Sequence, residues 1–248
     1  MSQNVYDREE FFAEYSKLPR SQGGLEATPE WPQLCCMVGD ISGSSVLDLG
    51  CGYGWFCRWA KDAGVTSVCG IDLSTKMLAR AKDFGSDNAI TYSQGDLETI
   101  QLYEEQYRLV YSSLALHYLH DLRRLVREVY RSLYAGGKFV FSVEHPIWTA
   151  PMSKSPSFQE IAEDPDGRAI WPLNGYADEG PRLKNWLAGD VQKYHRKIDT
   201  YISTLLDVGF TLTGIVEYTP TLAEIEEKPQ WKNERERPLF LLLAAKKR

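Results

Sequence analysis

No apolar run in this 248-residue sequence approaches the roughly 20 residues that cross a bilayer. The opening stretch, MSQNVYDREE, lacks a basic segment followed by an apolar one, so no secretory leader is expected and the default is a soluble, cytoplasmic protein. Excess positive charge is missing too. The 28 Lys and Arg stand against 34 Asp and Glu, a net charge of -6, which leaves no electrostatic footprint for a nucleic-acid backbone. The densest charge cluster, KNERER (232–237), mixes signs and reads as a solvated segment. Cysteine is sparse and badly spaced for cross-linking. Cys35, Cys36, Cys51, Cys57 and Cys69 are odd in number and none forms a C-x-x-C pair, so neither a disulfide framework nor a metal site is expected. What is plentiful is apolar content, at 43 % enough for a substantial core, on a chain whose length suits one large α/β domain spanning 1–248.

Apolar, β-branched runs alternate with helical patterns. SVLDL (45–49), SVCGI (67–71), AITYSQ (89–94), YRLVYS (107–112) and KFVFSV (138–143) read as strands. Between them, Trp55, Phe56, Trp59, Ala60 and Ala63 recur at helical spacing. Ser74 can cap a helix whose inner face is Met77, Leu78, Ala81 and Phe84. A third stripe runs through Leu122, Leu125, Val126, Val129 and Leu133 to Gly136-Gly137. This order predicts a parallel sheet covered by helices on both faces. Ligands of such sheets bind beyond the carboxyl ends of the strands. Asp48, Asp72, Asp96, Ser112 and Glu144 all fall at or just past strand ends, on that one edge.

Residues 145–190 differ. They are rich in Pro, Gly and Trp with weak periodicity, and a loop of that length inside a compact domain reads as a lid or binding cap. A helix follows, with Ile198, Tyr201, Ile202, Leu205 and Leu206 inward, and then two closing strands, FTLTGIVEY (210–218) and PLFLLLAA (238–245).

VLDLGCGYGWF (46–56) places Gly50, Gly52 and Gly54 directly behind the first strand, with Asp48 inside that strand. A nicotinamide dinucleotide site is one reading, but its G-x-G-x-x-G fingerprint is broken here: Trp55 takes the third glycine's place. A pyrophosphate at the helix start would also have Asp48 as a poor neighbour. S-adenosylmethionine, cationic at its sulfonium and ammonium and free of phosphate, suits the residues better. Asp48 can serve the cationic end. The peptide groups from Gly50 through Cys51 to Gly52 can approach the ligand without side chains in the way. Asp72 can accept from the ribose diol, Leu73 and Met77 can flank the adenine, Asp96 can accept from its amino group, and Leu97 can pack on the ring.

With these residues the chain resembles class I S-adenosylmethionine-dependent methyltransferases. VLDLGCGYGWF is similar to the family's first motif, GIDLS to its ribose-binding acid and GDLE to its adenine-binding acid. YRLVYSSLALHYLHD and LYAGGKFVFSVEHP resemble the passages around strands four and five. The resemblance covers roughly 40–145, with a family-like strand pair at 210–246. It implies a Rossmann-like, seven-stranded, mostly parallel sheet whose last strand runs antiparallel between strands five and six. It implies cofactor contacts along these motifs, Ser112 included, and is nearly silent on the acceptor.

The base candidates are few, because the chain has four histidines. His117, just past strand four, and His145, which opens the insertion, are expected at the cleft mouth and are the candidates for touching acceptor or cofactor. His120 reads as a helix-start residue. His195 is either on the surface or turned back toward the cleft. The Asn-Pro-Pro-aromatic run of DNA amino-methyltransferases and the Pro-Cys of cytosine C5 enzymes are both absent, which favours a small-molecule acceptor over nucleic acid. In the cap, Trp148, Phe158, Trp171, Tyr176 and Trp186 offer flat apolar surface, and Asp178, Glu179, Arg182 and Lys184 offer charge. An N-terminal lid, about 1–40, carries Phe11, Phe12 and Tyr15 on one helical face. Tyr15 is then expected near the sulfonium and Arg20 near the methionyl carboxylate. The readings are therefore a methyltransferase working as monomer or homodimer without nucleic acid or membrane, an NAD(P)-linked oxidoreductase, or a non-catalytic module that binds S-adenosylmethionine.

Overall fold

The structure is a computed structural model and describes residues 3–85, 87–155 and 170–248. Its central sheet starts from the short apolar runs of the sequence: β1 (Ser45–Leu49), β2 (Ser67–Asp72), β3 (Ile90–Gln94), β4 (Tyr107–Ser113) and β5 (Leu133–Glu144) are all parallel. With β8 (Phe210–Tyr218) and β9 (Phe240–Lys247) the seven strands run in the order β3-β2-β1-β4-β5-β9-β8. Strand β9 lies between β5 and β8 and opposes both. The fold expectation, a mostly parallel seven-stranded sheet with its last strand reversed, is met.

Alternation along the inner strands fills two cores. Leu47, Val110, Phe139 and Phe141 face one side, where α6 (Leu122–Ser132) and α8 (Ile198–Val208) pack. Val46, Tyr111 and Val140 face the other, against α3 (Trp31–Val38) and α4 (Trp55–Asp62). Each such side chain, fully buried, contributes on the order of 1.5–3 kcal/mol. Helix starts follow local capping: Ser74 Oγ accepts from Met77 N at 3.1 Å ahead of α5 (Thr75–Asp83), and Asp121 Oδ1 accepts from Arg124 N at 3.0 Å ahead of α6.

Four local expectations need correction. Leu133 is buried but starts β5, pairing with Tyr107, because α6 stops at Ser132. Phe84 is exposed on its inward-expected helix and lies 5.0 Å from the Trp55 ring instead of in the core. Leu206 is likewise exposed on α8, where Tyr201, Thr204 and Leu205 face in. Arg237, at the end of the expected solvated run, is buried with its guanidinium over the Trp148 and Trp171 rings.

The insertion is not structureless. It holds the short α7 (Pro146–Thr149) and an antiparallel hairpin, β6 (Gly180–Asn185) with β7 (Asp190–His195), so the cap runs to 195 and not 190. Phe158 lies outside the described residues. The hairpin turns cations inward. Arg182 Nε donates to Ala150 O at 3.0 Å, and Lys184 Nζ donates to Ser153 O at 2.9 Å, fastening the hairpin to the chain that follows β5. Asp178 and Glu179 act the same way: the Asp178 carbonyl accepts from Arg182, and Glu179 Oε1 accepts from Lys197 N at 2.8 Å at the start of α8.

The N-terminal segment, with α1 (Glu9–Tyr15) and α2 (Pro19–Gly23), closes over the carboxyl edge of the sheet. Val5 and Phe11 bury against Val191, Trp186 and Tyr118. Asp7 fixes the other side. Its carboxylate accepts from Ser74 Oγ at 2.5 Å, Thr75 Oγ1 at 3.2 Å and Lys76 N at 3.1 Å, at the positive end of α5. Asp7→Ala is expected to free this segment without unfolding the core. Global stability should fall by no more than about 1–2 kcal/mol in denaturant titration, while limited proteolysis ahead of Gly24 accelerates severalfold.

Candidate active site

A cavity of about 670 Å³ lies where the strand ends, the N-terminal segment and the cap meet. Gly50 and Gly52 form its floor, Asp72, Leu73, Met77, Asp96 and Leu97 one wall, and Tyr6, Tyr15 and Arg20 the roof. Glu144, Trp148 and Trp186 close the far end.

The glycine loop is shaped by two contacts. Gly50 has φ +75°, and a β-carbon there would fall 2.4 Å from the Ala115 Cβ, so the loop passes the turn after β4 with no side chain between them. Gly52 has φ +52° and nothing within 4 Å of an added β-carbon: it leaves open space above the loop. Its N–H donates to Asp72 Oδ2 at 2.8 Å, and Ser74 N donates to Asp72 Oδ1 at 2.9 Å, so the carboxylate is aimed by two peptide groups. Burial pushes the Asp72 carboxyl up, against those two donors. Asp96 Oδ1 accepts from Glu98 N at 2.9 Å.

Asp48 lines a smaller side cavity of about 90 Å³, together with Cys51, and Tyr15, Arg20, Gly50 and Gly52 line both spaces. Burial raises the Asp48 carboxyl to about 7, opposed by a weak bond from Cys57 Sγ at 3.4 Å and reinforced by Asp72. Arg20 donates to Glu30 Oε1 at 3.0 Å. Burial works against its charge, but Glu30 outweighs burial and the guanidinium stays firmly protonated.

The far end is aromatic and carries a buried ion pair. Tyr6 Oη lies 3.2 Å from Tyr118 Oη. Phe11 and Tyr15 meet Trp186 edge-on at 5.5 and 6.3 Å, which welds the roof to the cap. Lys193 of β7 donates to Glu144 Oε1 at 2.5 Å. Burial alone would raise the Glu144 carboxyl, but Lys193, then His117 and Lys184, hold it below the usual range. His117 is buried, and its Nδ1 accepts from Glu144 N at 3.3 Å. Burial depresses its imidazole to about 4, with Lys193, Arg196 and Arg20 adding to burial and Glu144 opposing it.

Of the expected site residues, Tyr15, Arg20, Gly50, Gly52, Asp72, Leu73, Met77, Asp96, Leu97 and His117 line the large cavity, and Asp48 and Cys51 line its annex. Ser112 does not reach either space. It is fully buried with Oγ donating to Leu49 O at 2.7 Å, and Ser113, one residue on and on the opposite face, takes the lining position. His145 is not brought to the cavity. Its Nδ1 accepts from Ile147 N at 3.1 Å as the cap of α7, and its Nε2 meets Glu217 Oε1 at 2.9 Å, so both nitrogens are taken. His195 is also structural, held by Thr149 Oγ1 at 2.8 Å and Tyr176 O at 3.0 Å. Trp171 stacks on Trp148 at 5.2 Å and Tyr176 supports His195, so of the expected cap aromatics Trp148 and Trp186 alone, among the described residues, line the site. Sequence reasoning missed Tyr6, Tyr118 and Lys193. Tyr118 adjoins His117 and could have been found from that; the other two carry no motif.

Residues 47–141 match the family described as a methyltransferase domain. A crystal structure of an S-adenosylmethionine-dependent methyltransferase from Mesorhizobium loti superposes with a TM-score of 0.84 at 46 % identity, covering 90 % of this chain and 100 % of that one. An uncharacterized protein of Haemophilus influenzae is 32 % identical over 98 % of this chain and 97 % of its own length. A malonyl-[acyl-carrier protein] O-methyltransferase of Pectobacterium atrosepticum is 34 % identical, over 55 % of this chain and 47 % of its own length.

His117 is expected to remain neutral through the physiological range. Its ring resonances in NMR should show no titration between about pH 5.5 and about pH 8, whereas a solvated imidazole would pass its midpoint there.

Proposed function

The chain belongs to the S-adenosylmethionine-dependent methyltransferases, and from that premise we propose that it moves the methyl group to a small-molecule acceptor held between the sheet edge and the cap. S-adenosylmethionine is its cofactor and, when bound, supplies a methyl group on a sulfonium that is already a good leaving group. The nicotinamide reading falls with this membership, and Trp55 serves packing instead. Its ring fills the space over Gly24, where a β-carbon would come within 2.6 Å.

The residues fit the cofactor. Asp72, aimed by two peptide groups, takes the ribose hydroxyls, and Leu73, Met77 and Leu97 flank the adenine with Asp96 at its amino group. The open face over Gly52 leads to the annex, where Asp48 offers an acid to the ammonium and Arg20 a cation to the carboxylate. Among the described residues lining the two spaces the one Arg or Lys is Arg20, which already pairs with Glu30, so no cluster of cations waits there for a diphosphate.

The observation that supports a small acceptor is the aromatic lining that Tyr6, Trp148 and Trp186 give the cavity, with Arg20 the one Arg or Lys among the described lining residues. A nucleic-acid polymer would need a basic groove. Positioning of the acceptor against that lining supplies much of the acceleration, on the order of 7–11 kcal/mol in favourable cases. The acyl-carrier relative aligns over less than half its own length, and its acceptor is not carried over to this chain.

Incubation with methyl-labelled cofactor and a metabolite extract is expected to label a low-molecular-weight product by mass spectrometry. Labelling of protein or nucleic acid alone would overturn the small-molecule reading. Calorimetric titration of Arg20→Ala should show cofactor affinity down by about tenfold, the loss of one charge-assisted contact. Asp48 carries the pH dependence. Its free carboxyl titrates at about 7, and a bound ammonium favours the anion, so affinity should rise with pH up to about 7 and then level off. In Asp48→Asn that slope should vanish; a slope unchanged in the variant would remove Asp48 from the account.

A further inference from the structure

Two buried polar atoms at the far end of the cavity have no partner: Glu144 Oε2 and His117 Nε2. They have opposite hydrogen-bonding sense. His117 Nδ1 accepts the Glu144 N–H, so the neutral ring carries its proton on Nε2 and presents a donor. Glu144 gives Oε1 to Lys193, remains an anion, and presents Oε2 as an acceptor. A buried donor or acceptor left unmade costs about 1–3 kcal/mol, so two such atoms on residues that line one cavity mark a place for a ligand group that satisfies both.

Building on the methyltransferase reading, we propose that Glu144 is the group that binds the acceptor and takes its proton, and that the acceptor is an uncharged, flat apolar compound bearing an acidic hydroxyl of the phenol or enol type. A hydroxyl meets both orphans at once, donating to Oε2 and accepting from Nε2–H. A carboxylate would bring its charge against the Glu144 anion. An ammonium would bring its charge toward Lys193 and Arg196 and has no lone pair for Nε2–H. The aromatic faces of Tyr6, Tyr118 and Trp186 suit a flat body. Glu144 is a weak base while Lys193 holds it, and it therefore suits a hydroxyl more acidic than an alcohol.

The step balances. A lone pair of the acceptor oxygen attacks the methyl carbon. The C–O bond forms as the C–S bond breaks, and its electron pair passes to sulfur, which becomes a neutral thioether. The hydroxyl proton goes to Glu144 Oε2 and then to water. The groups that face Glu144 and set its charge are Lys193 and Lys184 from the hairpin, His117 and Tyr118 from the turn after β4, Tyr201 of α8, and Arg237. Lys193 acts through Glu144 and is a positioning residue.

The test uses the protein saturated with S-adenosylhomocysteine and a matched pair of probes, 2-naphthol and 2-naphthoate. Wild type is expected to bind the naphthol at least about tenfold more tightly than the carboxylate, and Glu144→Gln to bring the two within about threefold. Naphthoate binding as tightly as naphthol, or no binding of naphthol, overturns the proposal. In labelling from extract the methyl group should appear in an ether, and an ester or N-methyl product also overturns it. Glu144→Gln should lower the transfer rate by about 10²–10⁴-fold with cofactor affinity kept within about twofold. In Lys193→Met the acid limb of the rate profile should move to higher pH, because the carboxyl loses the cation that holds it down; an unmoved limb removes Glu144 as the titrating base. Loss of cofactor binding by the wild type would instead defeat the underlying methyltransferase reading.

Discussion

The site depends on the close passage of Gly50 against Ala115. Strand β1 ends beside β4, and the chain turns upward with its peptide groups bare toward the cavity. Everything else at that edge takes its position from this turn. Gly52 N reaches Asp72 on the neighbouring strand, and Gly54 starts α4 beneath the Tyr92 hydroxyl, where a β-carbon would come within 2.2 Å. A side chain at Gly50 or Gly54 would push the loop off the strand ends. At those two positions φ is positive and the neighbours are near, whereas at Gly52 φ is positive and the space is open.

The second constraint is electrostatic. The hairpin of the cap turns Arg182, Lys184 and Lys193 inward, and all three are nearly sequestered from solvent. Two end on backbone carbonyls and the third on Glu144. Buried charges of this kind give little net stability, since desolvation offsets much of the attraction, but they discriminate strongly against displaced arrangements. The cap is thus held in one orientation by polar contacts, and it delivers Trp186 and Lys193 to the far end of the cavity. The N-terminal segment joins both halves: Asp7 sits on the helix start beside Asp72, and Phe11 sits on Trp186.

This contrast explains what the sequence made legible. The inner parallel strands are apolar on both faces, the helices carry apolar stripes, and the acids of the cofactor wall stand at or just past strand ends, so fold and wall follow from patterning. The cap hairpin escaped because its inward positions are Arg182, Lys184, Lys193 and His195, and a period of two written in cations looks like a polar loop. Ser112 failed on strand parity, one residue away from Ser113. His145 failed because a histidine before proline reads equally as a cleft residue or as a helix cap, and only Ile147 and Glu217, brought near by folding, decide between them. Tyr6 and Lys193 come from segments distant in sequence and signal nothing until the chain is closed.

A crystal structure with S-adenosylhomocysteine bound would test the central claim most directly. The ribose should lie on Asp72, the adenine between Leu73 and Leu97, and the amino-acid end toward Asp48 and Arg20, with the sulfur facing the space bounded by His117 and Glu144. A ligand lying elsewhere, or bound with its sulfur turned away from that space, would contradict it.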